Sequence, residues 1–482
     1  MKVIILLILT LFSIIVNGQV RQPHSLYFME TIPQITQMNP AFQPRANVYV
    51  MLPGVNASMI SDLAMKDICQ QQKKNWYIPI QKDYDYSKLW ESIGEKKTVG
   101  FKTGVDIDII GYGLRVGDGY FSFGISEHIN TKLTLPSELF KLAEQLDSQG
   151  RLAFDFSALH AQSMSYMQLR FGYSHKLNDR LTVGMNIKPL LGQAAFVSEV
   201  EKFRLVREGT KWNTELKGNI STSKIAGNIE WDDEKEIYDV MSKNFDDYRT
   251  RDWIKYGFDF SNPGIAFDIG AAYRITERLE VSAALNNLGF VSWKDDLKWF
   301  SSGINATFDE EFTEDEINEW LESLKDELNH SLEFREQQDK FKMKLAPVFQ
   351  TGVSYRFTRS VSAGFLSRSV FWENNFRQSF NVSGYFQPYS FFALSAGTTW
   401  HVKSNFNMST GLTFLLGPLQ IYFFADNIPT RFSTLKDEEG EEIKRIPLHI
   451  RTFTTRVGIN LVFGQHGFTN KPMMEKRKDS WN

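Results

Sequence analysis

Two neighbouring stretches decide how this chain is read: Ile265-Ala-Phe-Asp-Ile-Gly-Ala-Ala-Tyr-Arg274 and, after a tight polar break, Leu279-Glu-Val-Ser-Ala-Ala-Leu-Asn286. In the first, Ile265, Phe267, Ile269, Ala271 and Tyr273 are apolar, and the intervening Ala266, Asp268, Gly270, Ala272 and Arg274 are small or charged. A period of two puts such sets on opposite faces of a β-strand. The second repeats it, with Leu279, Val281, Ala283 and Leu285 set against Glu280, Ser282, Ala284 and Asn286. The same pattern holds for Phe349, Val353, Tyr355 and Phe357, and most cleanly for Phe453, Val457, Ile459, Leu461 and Phe463.

A soluble sandwich alternates in the same way, so the turns carry the distinction. Three segments share one design: Tyr173-Ser-His-Lys-Leu-Asn-Asp-Arg-Leu-Thr-Val-Gly184, Tyr273-Arg-Ile-Thr-Glu-Arg-Leu-Glu-Val-Ser282 and Tyr355-Arg-Phe-Thr-Arg-Ser-Val-Ser-Ala-Gly364. Each joins an aromatic strand end, a short polar turn and a returning strand, like the short turns and aromatic girdle of a membrane barrel. Short turns are also expected at Gly117-Asp118, around Gln387-Pro388-Tyr389 and at Gly417-Pro418.

Strands are assigned at 47–58, 104–116, 120–132, 161–176, 181–197, 264–275, 279–293, 345–357, 360–371, 376–387, 391–402, 406–416, 419–429 and 449–463. This is an all-β chain: a transmembrane, antiparallel, up-and-down β-barrel of about 14 strands. All six short turns fall at one end, long polar connections are expected at the other, and the even count returns both ends of the barrel to the same side. Closure of the first strand on the last removes edges that lipid cannot hydrogen-bond.

Composition agrees. The 482 residues carry 14% aromatics, including 39 Phe, and a net charge of only −3, while mean hydropathy is −0.31. A polar chain rich in aromatics suits strands with one lipid face and one wet face. The near-neutral charge gives no electrostatic case for nucleic acid. Lys2, the apolar run Val3 to Val16 and Asn17-Gly18 predict a signal peptide over residues 1–18, since the run is shorter than the roughly 20 residues of a spanning helix. No cysteine stands at the expected cleavage site, which argues against a lipoprotein, and the single Cys69 has no internal disulfide partner.

Residues 19–46, with Pro23, Pro33, Pro40 and Pro44, are not strand-like and are expected to form a plug or a periplasmic segment, because a 14-stranded barrel is wide enough to need filling. The barrel, 47–463, carries a hairpin insertion at 198–262, extended around Lys202 to Lys224, and a helical one at 294–344, both in extracellular loops. In the latter, Thr313-Glu-Asp-Glu316 has capping-box form ahead of Ile317, Trp320, Leu321, Leu324 and Leu328 at helical spacing. A shorter helix is predicted from Ser137 to Leu146. Residues 464–482 are expected to be a periplasmic tail.

No catalytic, cofactor or metal constellation is legible: the eight histidines lack ligand spacing, and no phosphate loop or nucleophile elbow follows a strand. The chain is therefore expected not to be an enzyme. Asp106, Asp108, Arg170, Lys188, Asp268, Arg274, Arg356, Arg377 and Arg456 fall opposite the apolar set and are the candidate lumen-lining residues. Arg456-Val-Gly458-Ile-Asn-Leu461-Val-Phe463 has the form of a signal for the barrel-assembly machinery, with Gly458, Leu461 and Phe463 as its key positions.

Ser25-Leu-Tyr-Phe-Met-Glu-Thr-Ile-Pro-Gln-Ile-Thr-Gln-Met-Asn-Pro40-Ala-Phe-Gln-Pro44 resembles the N-terminus of an uncharacterised Bacteroidota family of outer-membrane barrels, and Asn286-Asn-Leu-Gly-Phe-Val-Ser-Trp293 is similar to a strand end in that group. In layout the chain also looks like FadL-type hydrophobic-compound transporters and the barrel subunits of the type IX secretion and gliding machinery. Those resemblances imply an N-terminal hatch and either small-molecule passage or docking of partner subunits, and they carry over no functional residue. The sequence thus points to an outer-membrane barrel in contact with outer-membrane lipid, both ends periplasmic, that passes small solutes, hydrophobic ones among them. The alternatives are a non-catalytic platform in a secretion, gliding or surface assembly; an outer-membrane hydrolase using clustered acids or a serine, a carboxylate and a histidine, with His160, His175 and His401 as candidates; and a soluble secreted β-protein that binds glycans.

Overall fold

The computed structural model describes residues 22–464, apart from 69, 73–74, 78–85, 146–150, 210, 225, 233–236, 243–248, 310–332, 337–339, 373–374, 403–405, 428–431, 437–441 and 448–450. The expected signal peptide, Cys69, the helix following Thr313 and nearly all of the C-terminal tail lie outside the described residues.

Fourteen strands form one closed antiparallel barrel. They are β1 Val48–Ser61, β2 Thr98–Val116, β3 Gly119–Pro136, β4 His160–Lys176, β5 Leu181–Glu208, β6 Pro263–Arg274 and β7 Leu279–Trp293. After these come β8 Val348–Arg356, β9 Val361–Trp372, β10 Asn375–Tyr389, β11 Phe392–His401, β12 Phe406–Leu416, β13 Leu419–Asp426 and β14 Thr452–Phe463. Each pairs with the next, and β14 closes on β1 from Val48↔Phe463 to Ile60↔Thr452. All the expected strands are present. The largest differences in their ends are β5, which runs on to Glu208, and β2, which starts at Thr98.

The two faces of the wall are inverted relative to a water-soluble sheet. Phe171, Met185, Ile187, Ile269, Phe365 and Val457 are exposed on the outside, while Asp106, Arg170, Lys188, Asp268, Arg368 and Arg456 are buried on the inside. Exposing apolar surface to water costs about 25 cal/mol per Å², so this outer face suits lipid. One bulge departs from simple alternation. The β2–β3 register shifts between Asp108 and Ile110, so Ile109 and Ile110 both stay on the exposed side while Asp106 and Asp108 both point inward.

At one end of the barrel, here called the turn end, the three turns predicted to share a design share a mechanism. Asn178 Oδ1 accepts the N–H groups of Arg180 and Leu181. Thr276 Oγ1 accepts those of Arg278 and Leu279, and Thr358 Oγ1 those of Ser360 and Val361. A side-chain oxygen thus stands in for the missing backbone acceptor at each reversal. At Gly117 and Gly417 the chain instead takes φ of 58° and 63°, the region glycine adopts without a Cβ penalty.

At the opposite, loop end five of the seven connections are long, while β9 joins β10 within a few residues, as does β11 to β12. The large insertions sit on the remaining connections. β5 forms a hairpin with the strand Lys211–Ser223, which continues through Leu297–Asp309 to Glu333–Glu336 as a sheet projecting past the barrel. Its base is held by Lys224, which pairs with Asp259 and lies 3.3 Å from Asp295. Burial pushes the Asp259 carboxyl up, but Lys224 and Ser261 outweigh it and hold the group below the ordinary carboxylate range. Over β1–β3 the helices Tyr86–Ile93 and Glu138–Gln145, the latter within the predicted Ser137–Leu146, close a small apolar cluster around Leu63, Leu89, Ile93, Leu133 and Leu135.

Candidate functional site

The interior of the turn-end half is occupied by residues 22–46. Prolines 23, 33, 40 and 44 prevent this segment from joining a ladder, and it folds as a 3-10 turn, His24–Leu26, and one helical turn, Ile35–Met38. Its apolar residues Leu26, Met29, Ile32 and Ile35 pack against Leu366, Tyr422 and Phe424 of the wall. Its exposed backbone groups, which a dry lumen would penalise, find wall side chains. Gln420 donates to the Thr31 carbonyl, Asn286 and Gln350 both donate to the Met38 carbonyl, and Arg368 Nη1 donates to the Gln22 carbonyl at 2.6 Å. Gln34 and Asn460 exchange two amide hydrogen bonds of 2.8 and 3.0 Å.

Inward glycines make room for this segment. A Cβ on Gly184 would lie 2.1 Å from the Pro40 carbonyl oxygen, one on Gly270 2.0 Å from Asn39 Oδ1, and one on Gly364 2.4 Å from the Phe28 ring. No side chain fits at these places while the segment stays where it is.

His24 is a buried polar anchor of the segment. Nδ1 lies 2.7 Å from Asp426 Oδ2, Nε2 lies 3.0 Å from Ser379 Oγ, and the His24 N–H donates to the same carboxylate oxygen. Carboxylate, imidazole and hydroxyl follow the order of a hydrolytic triad. Yet all three are buried, and Ser379 lines neither of the cavities described below. As placed, the cluster fastens the N-terminal segment to the wall.

Above the segment, toward the loop end, the lumen opens into a polar cavity of about 90 Å³ floored by Gln22 and Gln37 and walled by Asp106, Asp108, Arg170, Lys188 and Arg368. Of the candidate residues, Asp106, Asp108, Arg170, Lys188 and Arg377 line it, and Asp268 and Arg456 stand behind it as partners of Lys188 and Asp108. Lys188 Nζ is 2.6 Å from Asp268, Arg456 pairs with Asp108, His128 Nδ1 is 2.6 Å from Asp106, and Arg170 Nη1 donates to Thr36. Arg377 is half-buried at the loop-end rim and reaches Asp62 at 2.9 Å. Arg274 and Arg356 do not line the cavity. Both are exposed at the turn end, where the strands run out, and Arg356 there meets Glu30 at 2.9 Å. Of the three proposed assembly positions, Gly458 faces inward beneath the Tyr422 hydroxyl, Leu461 is half-buried and Phe463 is exposed.

A second cavity, of about 540 Å³, interrupts the wall itself. β8 pairs with β7 only up to Asn286↔Val348, and the strand Phe341–Lys344 takes over at Phe290↔Lys344. Between them the regular pairing lapses over Leu345, Ala346 and Pro347: the Leu345 N–H still donates to the Gly289 carbonyl at 3.0 Å and the Pro347 carbonyl accepts the Phe371 N–H at 2.9 Å, but proline has no N–H to give to β7. Opposite, Asn287 at φ 62° bulges β7 against β6. The gap is lined from the lipid side by Ile265, Phe267, Leu288 and Phe371 and from the inside by Asn130, Gln162 and Met164, so Asn130 borders both cavities.

Sequence reading missed His24, Gln34, Gln37, Arg368 and Asp426. Arg368 and Asp426 sit at inward parity on their strands and were in principle visible; the partners from residues 22–46 carry no periodic signal.

A protein-family profile described as a family of unknown function (DUF5723) matches residues 40–426. No curated protein matches the sequence. Among solved structures the chain is similar to the toluene transporter TbuX of Ralstonia pickettii, at 10% identity and a TM-score of 0.45, covering 94% of this chain and 100% of that one. It is also similar to a Pseudomonas aeruginosa FadL homologue, at 10% identity and 0.44, covering 93% and 100%, and to the CymD monoaromatic hydrocarbon channel, at 8% and 0.45, covering 94% and 100%. Likeness at this level says nothing about what this chain carries.

Proposed function

This chain belongs to the DUF5723 family, a family of unknown function, and we propose that it is an outer-membrane β-barrel that passes small, largely apolar solutes through its wall, around a fixed N-terminal plug. The observation that carries the reading is the wall cavity, whose outer rim is Ile265, Phe267, Leu288 and Phe371 and whose inner rim is Asn130, Gln162 and Met164. An apolar solute entering there avoids the packed turn-end half and loses little by leaving lipid, since the outer rim is itself apolar. In this reading the chain does no chemistry on its solute, the turn end faces the periplasm, and Gly458, Leu461 and Phe463 serve barrel assembly.

The test is uptake of the apolar fluorophore N-phenylnaphthylamine by cells carrying the protein in their outer membrane. Ala346→Trp, placed to fill the gap, is expected to bring uptake to the level of cells without the barrel; uptake unchanged by Ala346→Trp in a correctly folded barrel refutes wall passage. A second reading, a membrane platform for a secretion, gliding or surface assembly, is favoured by the sheet of β5, Lys211–Ser223 and Leu297–Asp309 that projects beyond the barrel. Subunits co-purifying in mild detergent, and lost when that sheet is trimmed, would favour it.

A further inference from the structure

On the outer wall of β4 and β5 the lipid-facing column changes character toward the loop end. Phe171 and Ile187, paired with one another, are exposed. Four residues further along each strand, about 13 Å on, Met167 and Leu191 form the corresponding pair on the same face, yet are only 7% and 2% exposed. The helix Thr250–Gly257 covers them from outside: a Cβ on Gly257 would lie 2.7 Å from Met167 Cε. This helix therefore lies against the outside of the barrel at the edge of the apolar belt. Beyond its end, Phe258 and Phe260 are 40% and 65% exposed, five residues or so before the lipid-facing Ile265.

Cations gather along the same edge. Arg251 and Lys255, one helical turn apart, are exposed. Past β6, Lys342 and Lys344 are exposed on the strand Phe341–Lys344, where the outward run of β7 ends, and Lys342 Nζ stands 4.8 Å from the Phe290 ring centroid. The nearby acids are largely engaged: Asp259 pairs with Lys224, and Asp252 accepts the Arg249 N–H at 3.0 Å. Around β10–β12 the belt runs to the strand ends as Phe376, Trp400 and Phe406, and the described cation there, Arg377, is taken up by Asp62.

We propose that Arg251, Lys255, Lys342 and Lys344, with Phe258 and Phe260, form a binding site for phosphate-bearing lipid headgroups of the surrounding leaflet. Exposed aromatics next to an apolar belt settle at the interface, and cations just beyond it meet the lipid phosphates. From β5 across to the strand Phe341–Lys344 the site spans about 15 Å, more than one headgroup, and it flanks the wall cavity, which Lys344 also lines. The inference rests on the barrel standing in a membrane and not on passage through its wall.

The test uses the full protein in phosphatidylcholine vesicles containing a minor fraction of phosphatidic acid. After extraction, native mass spectrometry counts retained phosphatidic acid for the wild type and for R251Q/K255Q/K342Q/K344Q. Each cation near a headgroup contributes about fivefold in lipid occupancy, so the fourfold variant is expected to lose nearly all retained anionic lipid while keeping its heat-dependent gel mobility. A nitroxide attached through Phe260→Cys, with Cys69→Ser, should be relaxed by oxygen more than by a water-soluble nickel chelate. Equal retention by variant and wild type, or a nitroxide relaxed mainly by the chelate, overturns the proposal. Protein recovered outside the vesicles overturns instead the membrane placement on which it stands.

Discussion

The two halves of the lumen share one wall and one alternation, yet they are built for different ends. At the turn end the inward positions are glycines and aromatics, and residues 22–46 fill the space with an apolar centre around Leu26, Met29 and Ile32. At the loop end the inward positions are Asp106, Arg170, Lys188 and Asp268, with Lys188 and Asp268 paired between neighbouring strands, and a cavity lies inside this charged wall. Glycines let another segment approach; long charged side chains hold the wall open at their own length. Position along the axis, more than strand count, thus decides whether this barrel is closed or hollow.

The largest expected effect comes from breaking the hollow half. Lys188→Met leaves Asp268, fully buried, without its cation, and should lower stability by about 3–5 kcal/mol, read as the urea midpoint of the heat-modifiable band. Adding Asp268→Asn should restore much of the loss; full stability of the single variant would mean that the pair holds nothing. Next comes Gly364→Leu, which drives a side chain into Phe28. An overpacking cost of about 1–3 kcal/mol should expose residues 22–46 to protease added from the turn side, while Gly303→Ala, with open space around it, should not. His24→Ala removes one partner of Asp426 and should cost about 1–3 kcal/mol, with the same protease readout but a smaller change, since the apolar centre remains.

The smallest effect lies outside the barrel. Because Asp259 has its pKa lowered in the folded state, its contribution is present above the ordinary carboxylate pKa of about 4 and is lost as pH falls through the lowered value. Hydrogen exchange of the Lys211–Ser223 hairpin should therefore stay slow at neutral pH and quicken only in strong acid. Lys224→Met should move that quickening to higher pH; an unchanged profile would detach the hairpin from this pair.

Strand positions and the inside-outside division were legible because a period of two survives in a single sequence, as in Ile265 to Tyr273. The shared turn design was legible too, through Asn178, Thr276 and Thr358 at one place in each repeat. The hairpin around Lys202 to Lys224 was legible as well, but not that β5 runs into it unbroken to Glu208, since beyond Val197 it pairs with another hairpin strand and neither face is lipid. The wall gap was hidden as well, because Leu345-Ala346-Pro347 reads as the start of a strand until the competing pairing of Phe341–Lys344 with β7 is seen. Among the candidate charges, parity assigned Arg274 and Arg356 to the inward face but carried no information on depth, so their exposure at the turn end could not be foreseen.

Conductance across a planar bilayer tests the filled turn-end half most directly. The wild type should show no steady open-pore current, and a variant lacking residues 22–46 should conduct as a wide pore. A steady current through the wild type that the deletion leaves unchanged would contradict the account.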